Sequence, residues 1–518
     1  MKKFILILFI FSMFTGCVPK INNEVLLLAE KEGKGFYISS SLWGNIGYDP
    51  FYLTTIKETP PDVWSEIKKL NFSYIRCHNL LSDGEWGGNV YSEDENKNPV
   101  YDFSRVDEVI DRFLDAGLKP ILEMDFMPDA LAYGEIVRNY SGGAINWPND
   151  YDKWWNLIYT LTNHLVERYG IDEVKNWYFE IWNEPDLDKY YIGGGTRNKE
   201  LSKEGLMNFF KMYDYFADAV KSVNNELKVG GPGIAGREDF LKRFLEHVAR
   251  ERNYKTGEIG SPIDFISWHT YGNIDGILKK NIRINEMIDE YPKLKDKERL
   301  EDEWGPSITR EREREMYTSS SEYFPVFLVK MIDGLIYNED ARPTLFLKWG
   351  RPINGWRPFF IEIRGYKFKL PIYFGYEVLK NIEGEAFSLK GTDFGDELHG
   401  FFVSNENELW VVVYNFNEEW REKASNKEAK LFLKDLPSDK FKLTEYLIDD
   451  SHSNIRYVLS EMGKKVKDLT EEELKMLKKK NVCFKIEREV SAVNKELTLS
   501  FEMNGDSMRV FHLVGIGE

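Results

Sequence analysis

From Phe36 onward, short apolar runs alternate with longer segments of helical periodicity. Phe36–Leu42, Phe72–Cys77, Lys119–Glu123, Trp177–Ile181, Leu227–Gly230, Ile263–Trp268, Arg299–Glu303 and Pro343–Lys348 read as strands. Between and after them, Pro61–Leu70, Phe103–Ala116, Asp150–Tyr169, Leu201–Val223, Asp239–Ala249, Ile282–Glu290, Ser319–Ile336 and Pro371–Ile382 read as helices. Proline opens the first, where its missing N–H costs nothing, and Gly117 and Gly170 stand where C-terminal caps belong. Strand and helix thus alternate about eight times, the pattern of a parallel sheet closed into a (β/α)₈ barrel. After about residue 385 the texture changes. Leu409–Tyr414, Ala429–Leu433, Phe441–Leu447, Val482–Glu487 and Leu497–Phe501 are short strand-like runs, which predict a C-terminal β-sandwich. A helix over Thr470–Lys479 interrupts them, opened by a capping pattern.

The first residues are read apart from the fold. Lys2 and Lys3 precede an apolar run, Phe4–Phe14, and then Gly16-Cys17. That resembles a bacterial lipoprotein signal peptide with Cys17 as the acylated residue. The expected organisation is a signal segment over 1–17, a tether or extra sandwich strand over 18–34, a barrel over 35–385 and a sandwich over 386–518. The expected location is exported and held to the bacterial membrane by lipid, on the periplasmic or cell-surface side. The net charge of −17 argues against nucleic acid as a partner. Of the 3 cysteines, Cys77 and Cys483 are far apart, which argues against a disulfide framework or a metal cluster. The Arg310–Arg314 run of alternating sign reads as a solvated, self-neutralising face.

Chemistry in a (β/α)₈ barrel sits at the carboxyl ends of the strands. The residues there are His78, Phe126, Asn183, Glu184, His269, Tyr271, Glu303, Trp304 and Trp349. Glu184 and Glu303 follow the fourth and seventh strands. Glycoside hydrolysis needs two carboxyl groups facing one glycosidic bond. Taken alone, Trp177–Pro185 is equally a capped turn with a solvated glutamate. If the tryptophans crowd Glu184, its carboxyl should be harder to ionise, as a general acid requires. No phosphate-binding loop, paired metal-ligand histidines or nucleophile elbow is present; Gly193–Gly195 reads as loop.

These residues resemble glycoside hydrolase family 39, which contains β-xylosidases and α-L-iduronidases. The segment WYFEIWNEPDL (Trp177–Leu187) is similar to that family's acid/base segment. Tyr74–His78, Leu118–Pro120 with Phe126–Pro128, Val229–Pro232, Asp264–Tyr271, Glu303-Trp304 and Ile448–Asn454 follow in the family's order. The resemblance implies a retaining O-glycosidase, most like a β-xylosidase, that needs no metal or organic cofactor. It implies Glu184 as acid/base, Glu303 as nucleophile, Asn183 bonded to the sugar 2-hydroxyl and Tyr271 orienting Glu303. It also implies His78 and His269 as ligands of sugar hydroxyls, and Phe126 and Trp349 as apolar walls. After the eighth strand, Arg351 and Arg357 stand where β-xylosidases carry acids. That departure keeps a uronidase- or iduronidase-like activity open, since arginine can bind a carboxylate bidentately. Asp302 likewise replaces a frequent threonine. A catalytically silent surface glycan-binding protein is the remaining alternative.

Overall fold

The structure is a computed structural model that describes residues 24–51, 60–195, 200–306, 322–350, 353, 358–419 and 422–516. Cys17, Arg310–Arg314, Arg351 and Arg357 lie outside the described residues. Eight strands close a barrel: β1 (Asn45–Tyr48), β2 (Tyr74–Cys77), β3 (Lys119–Glu123), β4 (Tyr178–Glu180), β5 (Lys228–Ile234), β6 (Phe265–Tyr271), β7 (Glu298–Gly305) and β8 (Leu345–Trp349). They pair in sequence order, every pair parallel, and β8 pairs with β1 to close the ring.

Strand residues alternate between faces, so the barrel interior fills in layers. The lowest layer is apolar or aromatic and includes Ile121, Tyr178, Phe265, Leu300 and Leu345. Two residues further along come Arg76, Glu123, Glu180, Ser267 and Asp302, all fully buried. Above them lie His78, Asp125 and His269 at the carboxyl ends. The barrel therefore rises from an oily floor through a charged layer to its mouth.

One expectation is corrected. Phe36–Leu42 does not begin the barrel. Phe36–Ile38 pairs antiparallel with Gly384–Ser388 in a seven-stranded sheet, Ser40–Trp43 is a helical turn, and the first barrel strand starts at Asn45. The seven-stranded sheet runs, edge to edge, through Phe36–Ile38, Gly384–Ser388, Leu398–Ser404, Glu408–Asn415, Ser507–Gly515, Lys440–Ile448 and Phe484–Ser491. A three-stranded sheet is formed by Val25–Ala29, Lys427–Leu433 and Leu497–Met503. Leu27, Leu431 and Phe501 of the small sheet share one buried cluster with Val411, Phe441 and Phe511 of the large one. The helix Glu471–Lys480 opens with the expected capping box between Thr470 and Glu473.

Helix Tyr323–Tyr337 explains how the two parts are joined. Each residue from Tyr323 to Ile336 is buried, so the helix has no solvent face. It packs between the barrel and the large sheet. Its one interior acid, Asp333, accepts hydrogen bonds from Tyr414 Oη at 2.9 Å and pairs with His399 Nδ1 at 2.6 Å. No helix among the described residues is long and apolar enough to cross a membrane.

Candidate active site

Glu184 is held by backbone geometry before any side chain acts. Trp182 and Glu184 both adopt left-handed backbone, with φ of +62° and +47°. That conformation is costly for a bulky residue and persists where the surroundings over-determine it. Here they do. Glu184 N–H donates to Gly233 O at 3.0 Å, and Trp182 Nε1 donates to Tyr190 O at 2.8 Å. The buried Asp186 carboxylate accepts three backbone N–H groups, from Ala235, Gly236 and Arg237, at 2.8–2.9 Å. The loops after β4 and β5 are thereby locked to each other.

Glu184 Oε1 lies 3.0 Å from His269 Nδ1, and Oε2 lies 3.9 Å from the exposed Lys189 ammonium. Both of these contacts are polar. Glu303 sits opposite. Its Oε2 accepts from Tyr271 Oη at 2.9 Å, and its Oε1 accepts from Arg76 Nη1 at 2.9 Å and lies 3.3 Å from His78 Nε2. Burial works to raise the Glu303 carboxyl, but His269, His78 and Arg76 outweigh it and hold the group well below the usual carboxylate range. One carboxylate oxygen of Glu184 and one of Glu303 approach within 4.8 Å.

Six of the expected site residues thus converge: His78, Asn183, Glu184, His269, Tyr271 and Glu303. Asn183 Oδ1 accepts from Arg76 Nη2 at 3.4 Å. Phe126 lies on the wall beside them, edge-on to Trp182 at 5.4 Å and parallel to Tyr190 at 6.2 Å. Trp349 ends β8, and its side chain lies outside the described residues.

Sequence reasoning gave no role to the residue at the centre. Arg76 is fully buried and reaches four carboxyl groups: Glu180 at 2.7 Å, Glu303 at 2.9 Å, Glu123 at 3.1 Å and Asp302 at 3.2 Å. Glu123 in turn sits 2.5 Å from His78 Nδ1. Burial pushes the Glu123 carboxyl up to about 8. Burial works against a charge on His78, but Glu123, Asp125 and Glu303 outweigh it and hold the imidazole well above its ordinary value. A signal for this cluster exists in the sequence. Charged residues are depleted inside buried parallel strands. Yet Tyr74–His78, Pro120–Phe126 and Trp177–Trp182 each carry one or two at strand positions that face the barrel axis.

Two groups bring three metal-type ligand atoms within 4.8 Å: Glu184, His269 and Glu303, and His78, Glu123 and Asp125. The guanidinium of Arg76 already touches Glu303 and Glu123. A fixed positive charge at that distance disfavours a metal ion at either place.

A sequence profile for glycosyl hydrolases family 39 matches residues 41–302, just over half of the 518-residue chain. The β-xylosidase of Geobacillus stearothermophilus is 39% identical over 208 residues, which span 39% of this chain and 37% of that enzyme. The β-xylosidase of Caldicellulosiruptor saccharolyticus is 28% identical over 469 residues, 85% of this chain and 88% of that one. The α-L-iduronidase of Drosophila melanogaster is 33% identical over 249 residues, 45% of this chain and 35% of that one. Among solved structures, a monomeric β-xylosidase from Caulobacter crescentus CB15 shares the fold. Its TM-score is 0.75 at 21% identity, over 95% of this chain and 100% of that one.

Proposed function

Because the chain belongs to glycosyl hydrolase family 39, we propose that Glu184 and Glu303 are the acid/base and the nucleophile of a β-xylosidase-like enzyme. It is a glycoside hydrolase. The observation that carries the assignment is the approach of the two carboxylates to within 4.8 Å. Retaining glycosidases hold their carboxyl groups ~5–5.5 Å apart, whereas inverting ones leave ~6.5–9.5 Å for a water. A nearest-oxygen approach of that size is in keeping with the shorter spacing, in which Glu303 would attack the anomeric carbon directly.

The surroundings divide the labour. Glu303 is kept ionised by Arg76, His78 and His269, which suits a nucleophile. In the first step Glu184 protonates the departing oxygen as Glu303 forms a glycosyl ester. In the second, ionised Glu184 takes a proton from water, which attacks the anomeric carbon and frees Glu303. Tyr271 holds the nucleophile's second oxygen. His78 and Asn183 face the same space, where a sugar's hydroxyls would lie.

A second reading, a uronidase- or iduronidase-like activity at the same carboxylates, draws on the iduronidase relatives and on Arg351 and Arg357. A panel of aryl xylosides, arabinosides, galactosides and uronides tests both. The first reading requires xylosides to turn over fastest. Fastest turnover of uronides, lost on Arg351→Ala or Arg357→Ala, would replace it with the second. No turnover on any glycoside would leave a glycan-binding protein.

Two further parts of the reading concern the chain outside the barrel. The two C-terminal sheets, with their common apolar cluster, are read as a β-sandwich that the strand Val25–Ala29 joins. Cys17 is read as a lipid attachment site. Cys17→Ser should move the protein from the membrane to the soluble fraction; unchanged partition would remove the anchor.

A further inference from the structure

Strand β7 breaks its alternation at the site. Trp268 of β6 faces Glu301, but the next residue, His269, faces Glu303. Asp302 is the extra residue of a bulge. A bulge bends the strand and re-aims a side chain, and here it turns two consecutive residues, Asp302 and Glu303, toward the same guanidinium. Arg76 Nε, with one hydrogen, meets Glu180 Oε2 at 2.7 Å and Asp302 Oδ2 at 3.2 Å. Glu180 also accepts the Ser267 hydroxyl on its other oxygen. Asp302 Oδ2 and Glu180 Oε2 thus converge on one N–H, and neither Asp302 oxygen makes a hydrogen bond to any described donor.

The charges around this contact do not balance if all are ionised. Asp302, Glu180 and Glu123 are wholly buried and Glu303 nearly so, and all four surround one arginine. The other basic groups facing them are His78, engaged by Glu123, and His269, whose Nε2 is 3.6 Å from Asp302 Oδ1. Two buried carboxylates crowded onto one N–H are expected to share one proton. The geometry also says which keeps it. Glu180 has the shorter Arg76 contact and the serine donor, the company of an ionised acceptor. Among the described residues no group besides Arg76 and His269 offers Asp302 a positive or donor contact.

We propose that Asp302 is a positioning residue that stays a neutral carboxylic acid and donates its proton to Glu180. The pair then presents a single negative charge to Arg76 Nε, and Arg76 Nη1 remains aimed at Glu303 Oε1. Asp302 thereby keeps the second carboxylate charge away from the nucleophile while supplying the hydrogen bond that orders Glu180. Burial, which pushes the Asp302 carboxyl well above its ordinary value, agrees with the geometry. The value of this device for catalysis rests on the reading of Glu303 as nucleophile; the protonation of Asp302 does not.

The test compares Asp302→Asn with Asp302→Ala in the full-length enzyme, by kinetics and by infrared difference spectroscopy at neutral pH. An asparagine amide is neutral, similar in shape and able to donate to Glu180. Asp302→Asn should keep kcat within about threefold of wild type. Asp302→Ala should lower kcat ~10-fold or more with little change in KM, because the lost bond goes to a charged group. The wild-type minus Asp302→Asn spectrum should show the C=O stretch of a neutral carboxylic acid. A carboxylate band in that difference spectrum, or an Asp302→Asn variant as impaired as Asp302→Ala, would overturn the proposal. The infrared result stands even if Asp302→Ala does not fold, and it is independent of which glutamate is the nucleophile.

Discussion

Tyr271 Oη donates one hydrogen bond to Glu303 Oε2 at 2.9 Å, and that bond fixes the oxygen on which Arg76 does not act. Both carboxylate oxygens of Glu303 are therefore held by groups from opposite sides of the barrel, β2 and β6. Rotation of the carboxylate would break one bond or the other.

Tyr271→Phe should therefore leave the fold intact and damage the reaction. A hydrogen bond to a charged group contributes ~1.5–3 kcal/mol, so kcat/KM should fall ~10- to 100-fold. Steady-state kinetics on the best aryl glycoside of the panel checks this. An unchanged rate would show that Tyr271 does not position Glu303.

His78 makes stability depend on pH with a definite sign. Its folded value is raised, because Glu123, Asp125 and Glu303 outweigh the effect of burial. A raised histidine contributes stability that is fully present below its unfolded pKa of ~6.5. That contribution is lost as pH rises through the folded value. The gap in urea midpoint between wild type and His78→Gln should be widest below about pH 6.5 and should shrink toward high pH. A gap that widens with pH would contradict the protonated state of His78.

The barrel and the large sheet are joined through Asp333, which His399 and Tyr414 both contact from the sheet side. Asp333→Ala removes the partner of a buried pair and strands both groups. The expected loss is ~3–5 kcal/mol in unfolding free energy, read by chemical denaturation. Asp333→Asn keeps an acceptor for Tyr414 and should lose less. Equal losses would place the energy in packing alone.

How far the sequence is legible depends on whether a signal is local. Seven of the eight barrel strands lie where apolar runs between turn residues put them, within a few residues, because strand patterning is local. Phe36–Ile38 has the same local pattern but pairs with Gly384–Ser388, about two thirds of the chain's length away; nothing near Phe36 encodes that partner. Six candidate site residues are legible because each lies near or just past the carboxyl end of a barrel strand. Arg76, Glu123, Glu180 and Asp302 lie one layer deeper in the barrel, where patterning assigns only a face. Their meaning appears only when four separate strands bring them together. The Asp302 bulge is less legible still, since alternation alone would point Asp302 and Glu303 to opposite faces.

Glu184 should be separable from Glu303 by rescue. With Glu184→Ala, glycosides with good leaving groups need no proton for the first step, so the glycosyl-enzyme forms and then accumulates. Azide should accelerate turnover and yield a glycosyl azide of retained configuration. Glu303→Ala should lose turnover on natural and activated substrates alike. Azide rescue of Glu303→Ala with retained configuration would reverse the two roles.

The central claim is that Glu303 forms the covalent bond to the sugar. A 2-deoxy-2-fluoro glycoside with an activated leaving group, of the sugar that the panel identifies, should inactivate the enzyme by trapping that ester. Peptide mass spectrometry of the inactivated protein should then find one fluoroglycosyl group, on Glu303 and on no other residue. An adduct on Glu184 or any other side chain, or an enzyme that turns over the reagent with inversion and carries no adduct, would contradict the account.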